Sequence, residues 1–305
     1  MLLASGRHRR CFGVARVIPF RFLFLVAVVL ILPACSAGGR IMNALQTDEG
    51  VSVARGIAYG SLPRQKYDLY SPVNAKPDAP VIVFIYGGSW HSGDRKDYAF
   101  IGDALARHGF VTAIADYRLY PKVIFPAFVE DEAKAVAAIA KQVGAGHPLF
   151  VMGHSAGAQI GALLVLDPHY LKAEGVDVCR RISGFIGLAG PYAALPLHRE
   201  RYRRIFPEDV RASAVPVNFA IGKHPPSLLI AGKSDLVVDP DNTTDLAKAL
   251  KQAGNRVEVS DYRHVGHMLL VGSLAKPLRQ FAPTLREIKR FVRQESRQVA
   301  PYCGR

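Results

Sequence analysis

Ser155 lies in Gly153-His154-Ser155-Ala156-Gly157, directly after the apolar run 149–152 and directly before a helix-period stretch that runs to Asp167. A serine hydroxyl is a weak nucleophile until a base takes its proton. A turn tight enough to lift it clear of a sheet needs small residues on both sides. The strand before and the helix after give these five residues the context of such a turn, whereas a bare Ser among small residues would only cap a helix. His154 is not the base, because neighbouring side chains on so sharp a turn diverge; it reads as structural.

Two later loops offer the partners. In LLIAGKSDLVVDP, Asp235 stands just past an apolar run, and in VEVSDYRHVGHMLL, His267 follows the last β-like run, giving the chain order Ser, Asp, His. Asp239 and Asp241 lie farther into the first loop and read as caps of the next helix, and His264 is the rival base. Attack on a carbonyl also creates an oxyanion that needs donors. The amide of Ala156 is one. Gly87 and Gly88 offer another, in VIVFIYGGSWHSGDR, where a buried strand ends on two glycines that pack no side chain and lose entropy on ordering. The alternative for the glycine pair is a plain turn.

The elements that must hold these residues follow from periodicity. Short apolar runs at 81–85, 110–115, 149–152, 182–188, 227–231 and 257–261 alternate with helical stretches beginning near 98, 126, 155 and 242. This alternation predicts a mostly parallel sheet covered by helices on both faces. Residues 55–72 read as an antiparallel hairpin at its edge, and the Pro- and Arg-rich stretch at about 190–226 as a lid insertion.

On YGGSWHSGDR, DYRLYPKVIFPAFVED at 116–131, GHSAG, the Asp235–Val238 segment and Gly266-His267, the chain resembles the α/β-hydrolase esterases. The likeness is to the hormone-sensitive-lipase-like and BD-FAE carboxylesterases, and it spans nearly all of the chain after residue 35. It implies an α/β-hydrolase fold and a serine carboxylesterase for small to medium acyl esters. In that reading Ser155, Asp235 and His267 form the triad, and Gly87, Gly88 and Ala156 the oxyanion hole. Tyr86 departs from the family, which usually has His there. Asp94, Arg95, Asp116 and Arg118 read as structural, since buried charges of this kind pair. An arylformamidase-type amide hydrolase uses similar loops and the same triad, and a non-catalytic binding protein on the same fold is the reading from another class.

The first 35 residues have the layout of an export signal: five arginines and no acid, the apolar run 22–32, then PACSAGG. The apolar run is too short to cross a bilayer as a helix. Leu32 to Cys35 resembles a bacterial lipobox, which implies lipidation of Cys35 and a membrane anchor in the cell envelope. A plain cleaved signal, giving a periplasmic or secreted protein, is the alternative. Residues 36–305 read as one domain. Without the signal the net charge is still +9, which favours anionic surfaces. The bases are scattered with no zinc-finger, RNP-like or basic-helix pattern, which argues against nucleic acid. No metal-ligand spacing or phosphate-binding glycine loop occurs, so neither metal nor cofactor is expected. Cys179 and Cys303 are free to form one disulfide, and their spacing leaves that open, as it does the oligomeric state.

Overall fold

The computed structural model describes residues 49–303 together with Gly39, Met42 and Asn43. The expected signal at 1–35, with Cys35, lies outside the described residues. The elements are β1 (Val51–Ala58), β2 (Lys66–Pro72), β3 (Val81–Ile85), α1 (Ala99–Ala106), β4 (Val111–Ala115), α2 (Ala127–Val143), β5 (Leu149–His154), α3 (Ala156–Leu166), α4 (His169–Ala173), α5 (Val178–Arg181), β6 (Ile182–Leu188), α6 (Glu200–Ile205), β7 (Ser227–Gly232), α7 (Asp241–Gln252), β8 (Val257–Tyr262), α8 (His267–Gly272) and α9 (Thr284–Glu295).

The strands form one eight-stranded sheet in the order β1-β2-β4-β3-β5-β6-β7-β8. β1 and β2 form the antiparallel hairpin at one edge, β2 also pairs antiparallel with β4, and every other pairing is parallel. β3 is hydrogen-bonded on both sides and all five of its residues are buried. That is why VIVFI is an unbroken apolar run and does not alternate.

Successive strand residues point to opposite faces, and the packing shows what covers each. Phe150 on β5 meets Phe291 of α9 with ring centroids 6.2 Å apart, while a Cβ on Gly161 of α3 would sit 3.2 Å from Val151 and 3.1 Å from Phe185. Helices α9 and α3 therefore lie on opposite faces. Phe150, Phe185 and Phe291 are fully buried, each contributing roughly 1.5–3 kcal/mol relative to exposure.

The insertion between β6 and β7 holds α6 and three short 3-10 turns, at Glu208–Val210, Ala212–Ala214 and Pro216–Phe219. Cys179 and Cys303 are joined by a disulfide, with Cα atoms 5.0 Å apart across 124 residues of chain. Helix α9 was not evident from the spacing argument, although its buried face, Leu285, Ile288, Phe291 and Val292, has helical periodicity.

Candidate active site

The end of β5 delivers Ser155 on a strained turn. Its φ is 57° and ψ is −126°, a left-handed φ that non-glycine residues rarely adopt. The turn is held by the Ser155 amide, which donates to Leu188 O at 2.9 Å. Gly157 is required by close approach, because a Cβ there would lie 2.1 Å from Ile85 O and 2.4 Å from Tyr86 O. The end of β3 and the start of α3 thus meet backbone to backbone.

The two later loops converge on that turn. His267 Nε2 is 2.8 Å from Ser155 Oγ, and His267 Nδ1 is 2.7 Å from Asp235 Oδ2. Asp235 Oδ1 accepts from the amides of Val237 and Val238 at 2.8 and 3.0 Å, so the carboxylate is anchored by its own loop. Burial acts to raise the Asp235 carboxyl, but the His267 hydrogen bond and those amides outweigh it and hold it below the ordinary carboxylate value. Because a carboxylate only accepts, the His267 proton sits on Nδ1, which leaves Nε2 to take the serine proton. All three side chains are buried. The rivals stand elsewhere: His264 is exposed, and Asp239 Oδ1 accepts from the Asp241 amide at the start of α7, 3.0 Å away.

The glycine pair lies against the serine. A Cβ on Gly87 would be 2.9 Å from Ser155 Cβ and 3.0 Å from His154 O. Gly88 has φ +131°, and a Cβ there would be 2.0 Å from Ser92 O; its carbonyl accepts from the amides of His91 and Ser92. Among the described residues, the amides of Gly87, Gly88 and Ala156 donate to no protein acceptor. These are the unsatisfied donors an oxyanion hole needs.

Trp90, Gln159 and His154 complete the support. Trp90, φ +61°, donates from Nε1 to Gln159 Oε1 at 3.0 Å, and Gln159 Nε2 donates to Ala214 O at 2.7 Å. The indole also packs edge-on against Phe206 at 4.9 Å and Tyr202 at 5.9 Å. Gln159 thereby ties the glycine loop, α3 and the insertion together. Its signal was available as the one polar side chain in AGAQIGALLVL. His154 Nε2 faces His267 O at 3.2 Å, while its Nδ1 is buried without a partner among the described residues. Burial, reinforced by the nearby His267, holds the His154 ring well below the ordinary imidazole value, so it stays neutral.

Tyr86 takes no part in the serine site. Its ring stacks between Tyr98 and Tyr117 at 5.3 and 4.9 Å, and its hydroxyl donates to Asp116 Oδ1 at 2.8 Å and accepts from Arg64 at 2.7 Å. Arg95 bridges Asp116 and Asp68, the latter at 2.8 Å, Arg118 pairs with Asp131 at 2.8 Å, and Asp94 caps the 3-10 turn at Arg95–Tyr98. The expected structural roles of these charges are the pairings observed. Among the described residues no group of His, Cys, Asp and Glu is placed to hold a metal.

A mostly parallel sheet of this order, with a nucleophile turn after β5, an acid after β7 and a histidine after β8, defines the α/β-hydrolase fold. Residues 67–176 match the BD-FAE family model, a span that includes Ser155 and stops before Asp235 and His267. The chain is 31% identical over 252 residues to the isoprenylcysteine alpha-carbonyl methylesterase ICME of Arabidopsis thaliana, covering 74% of this chain and 58% of the relative. It is 28% identical over 141 residues to kynurenine formamidase of Danio rerio, covering 46% and 47%. This chain therefore spans about 58% of the length of the plant protein. Esterase B of Lactobacillus rhamnosis superposes with TM-score 0.72 at 19% identity, covering 90% of this chain and 97% of that one.

Proposed function

We propose that the protein is a serine hydrolase that cleaves carboxylic esters of small to medium acyl chain through an acyl-enzyme. The observation that carries this reading is the continuous relay Ser155 Oγ, His267 Nε2, His267 Nδ1, Asp235 Oδ2, with both links under 3 Å, facing amides that have no protein partner. Ser155 attacks the ester carbonyl as His267 takes its proton, and Asp235 stabilises the imidazolium that forms. The tetrahedral oxyanion is held by the amides of Ala156 and of Gly87 or Gly88. His267 returns the proton to the leaving alcohol. Water then attacks the acyl-Ser155 ester with His267 again as base, releasing the acid.

The plant relatives named as methylesterases support an ester substrate. The kynurenine formamidase relatives favour a second reading, hydrolysis of an aryl formamide by the same groups. Competition between a soluble aryl acetate and an aryl formamide at equal concentration separates them: the ester reading requires the acetate to turn over faster, with Ser155→Ala abolishing the reaction. Faster formamide turnover reverses the assignment.

Export and lipidation at Cys35 are part of the same proposal. The signal layout and its LPAC segment support both, and the Cys179–Cys303 disulfide, a bond that persists in oxidising compartments, supports export.

A further inference from the structure

The outer face of α9 and its following turn carries Arg286, Lys289, Arg293 and Arg297, spaced three, four and four residues apart and so aligned in one stripe about 16 Å long. The opposite face, Leu285, Ile288, Phe291 and Val292, is buried against the sheet. None of the four cations forms an ion pair among the described residues. Arg290, beside the stripe, is paired with Glu258 at 2.5 Å. Together these side chains and Gln294 line a shallow groove of about 490 Å³ that contains no carboxylate.

The crowding is unfavourable to the isolated protein. Partial burial, then the charges of Arg293 and Arg279, pulls the Lys289 ammonium below its ordinary value, and His108 at the end of α1 is lowered by burial and by Lys289, Arg279 and Arg293. A solvated helix face ordinarily mixes signs, gaining a few tenths of a kcal/mol per opposite pair and losing as much per like pair. A stripe of one sign is complementary to a surface of the other.

We propose that this face docks on an anionic lipid bilayer. The groove these cations line is open and shallow, with no aromatic residue on it to stack a base and no enclosed cradle for a single small anion, so it fits a plane of phosphates. Its position leaves the catalytic groups clear. Arg293 and Arg297 share a second groove with Pro80 and Pro148, which precede β3 and β5, whereas Ser155 follows the C-terminal end of β5. The N-terminal chain also enters on this layer. Asn43 Oδ1 accepts from the Phe100 amide at 2.8 Å and its Nδ2 donates to Lys96 O at 2.7 Å, at the start of α1, the helix whose far end adjoins α9. An anchor at Cys35 would be at most about 28 Å of extended chain from Asn43.

The test is co-sedimentation of the purified chain with neutral phosphatidylcholine vesicles and with vesicles containing 30% phosphatidylglycerol, at low and high salt, alongside a random-sequence DNA duplex. The expected result is tighter binding to the anionic vesicles, lost at high salt. The triple variant Lys289→Gln/Arg293→Gln/Arg297→Gln should lose about fivefold per charge, with ester turnover and melting temperature retained. A lipid anchor binds both vesicle types alike, so the difference between them isolates docking. Equal binding to neutral and anionic vesicles overturns the proposal, as does binding to the duplex without binding to anionic vesicles. The salt dependence of the unsubstituted protein decides the matter if the variant misfolds.

Discussion

His154 Nε2 lies 3.2 Å from the backbone carbonyl oxygen of His267, with the two rings 4.6 Å apart. The residue before the nucleophile therefore holds the backbone of the base directly. A carbonyl oxygen only accepts, so the His154 proton is on Nε2 and its bare Nδ1 faces Gly87, whose Cβ position is 3.3 Å away. The strand end, the glycine loop and the base loop meet at one neutral ring.

His154→Phe keeps a ring at this contact and removes the donor. Since one such hydrogen bond contributes about 1 kcal/mol, kcat should fall about five- to tenfold with KM little changed, and His154→Gln, which restores a donor, should recover part of it. Steady-state kinetics on one aryl ester with thermal melts decides. An unchanged kcat in folded His154→Phe would remove the positioning role.

The two glycines should separate by phenotype. Gly87→Ala places a methyl against Ser155 Cβ, so the loss should appear in kcat, about 10² to 10³ as for a lost oxyanion donor, with little change in melting temperature. Gly88→Ala meets the Ser92 carbonyl and holds an unfavourable φ, so it should lower stability as well, by at least about 1 kcal/mol. Full activity in either variant would make the pair only a turn.

Glu132 in α2 is fully buried and neither of its carboxyl oxygens has a partner among the described residues. Burial first, then Asp131 and Asp116, push its carboxyl well above the ordinary range. Above an unfolded-state value of about 4.3, the folded protein holds this proton and the unfolded chain does not, so this group lowers stability as pH rises. Glu132→Gln removes the dependence. Urea unfolding at pH 5 and pH 8 should show the variant's relative stability improving toward pH 8; an improvement toward pH 5 contradicts the assignment.

Cys35→Ser tests the anchor. The multiple chains of a lipidated cysteine give stable membrane retention, where one chain is marginal. Fractionation in high salt, which screens electrostatic docking, should find the unsubstituted protein with the membrane and the variant released. Unsubstituted protein in the soluble fraction with an N-terminus other than residue 35 would remove the lipoprotein proposal.

The parallel sheet was legible because VIVFI and LFVM are apolar without alternation, a pattern that only a strand covered on both faces tolerates. Ser155 was legible because a strand, a turn of small residues and a helix are consecutive in the chain. Asp235 and His267 came from chain order and from loops after apolar runs. Gln159, Arg64 and the His154 contact were not legible, because each acts across 22 to 113 residues of sequence and local spacing carries no record of such contacts. The same holds for Cys179–Cys303. Tyr86 shows the converse: the sequence marks it only as a departure from the family's usual His, whereas the fold turns its side chain away from the serine, into the Arg64–Asp116 cluster.

The most direct measurement is mass analysis of the protein after reaction with an aryl phosphonate, a mimic of the tetrahedral acyl-transfer intermediate. The account predicts one adduct per chain, on the peptide containing Ser155, with matching loss of ester hydrolysis, no adduct in Ser155→Ala and a much slower one in His267→Ala. Ester hydrolysis that persists in folded Ser155→Ala, or an adduct on another residue that accounts for the loss of activity, would contradict it.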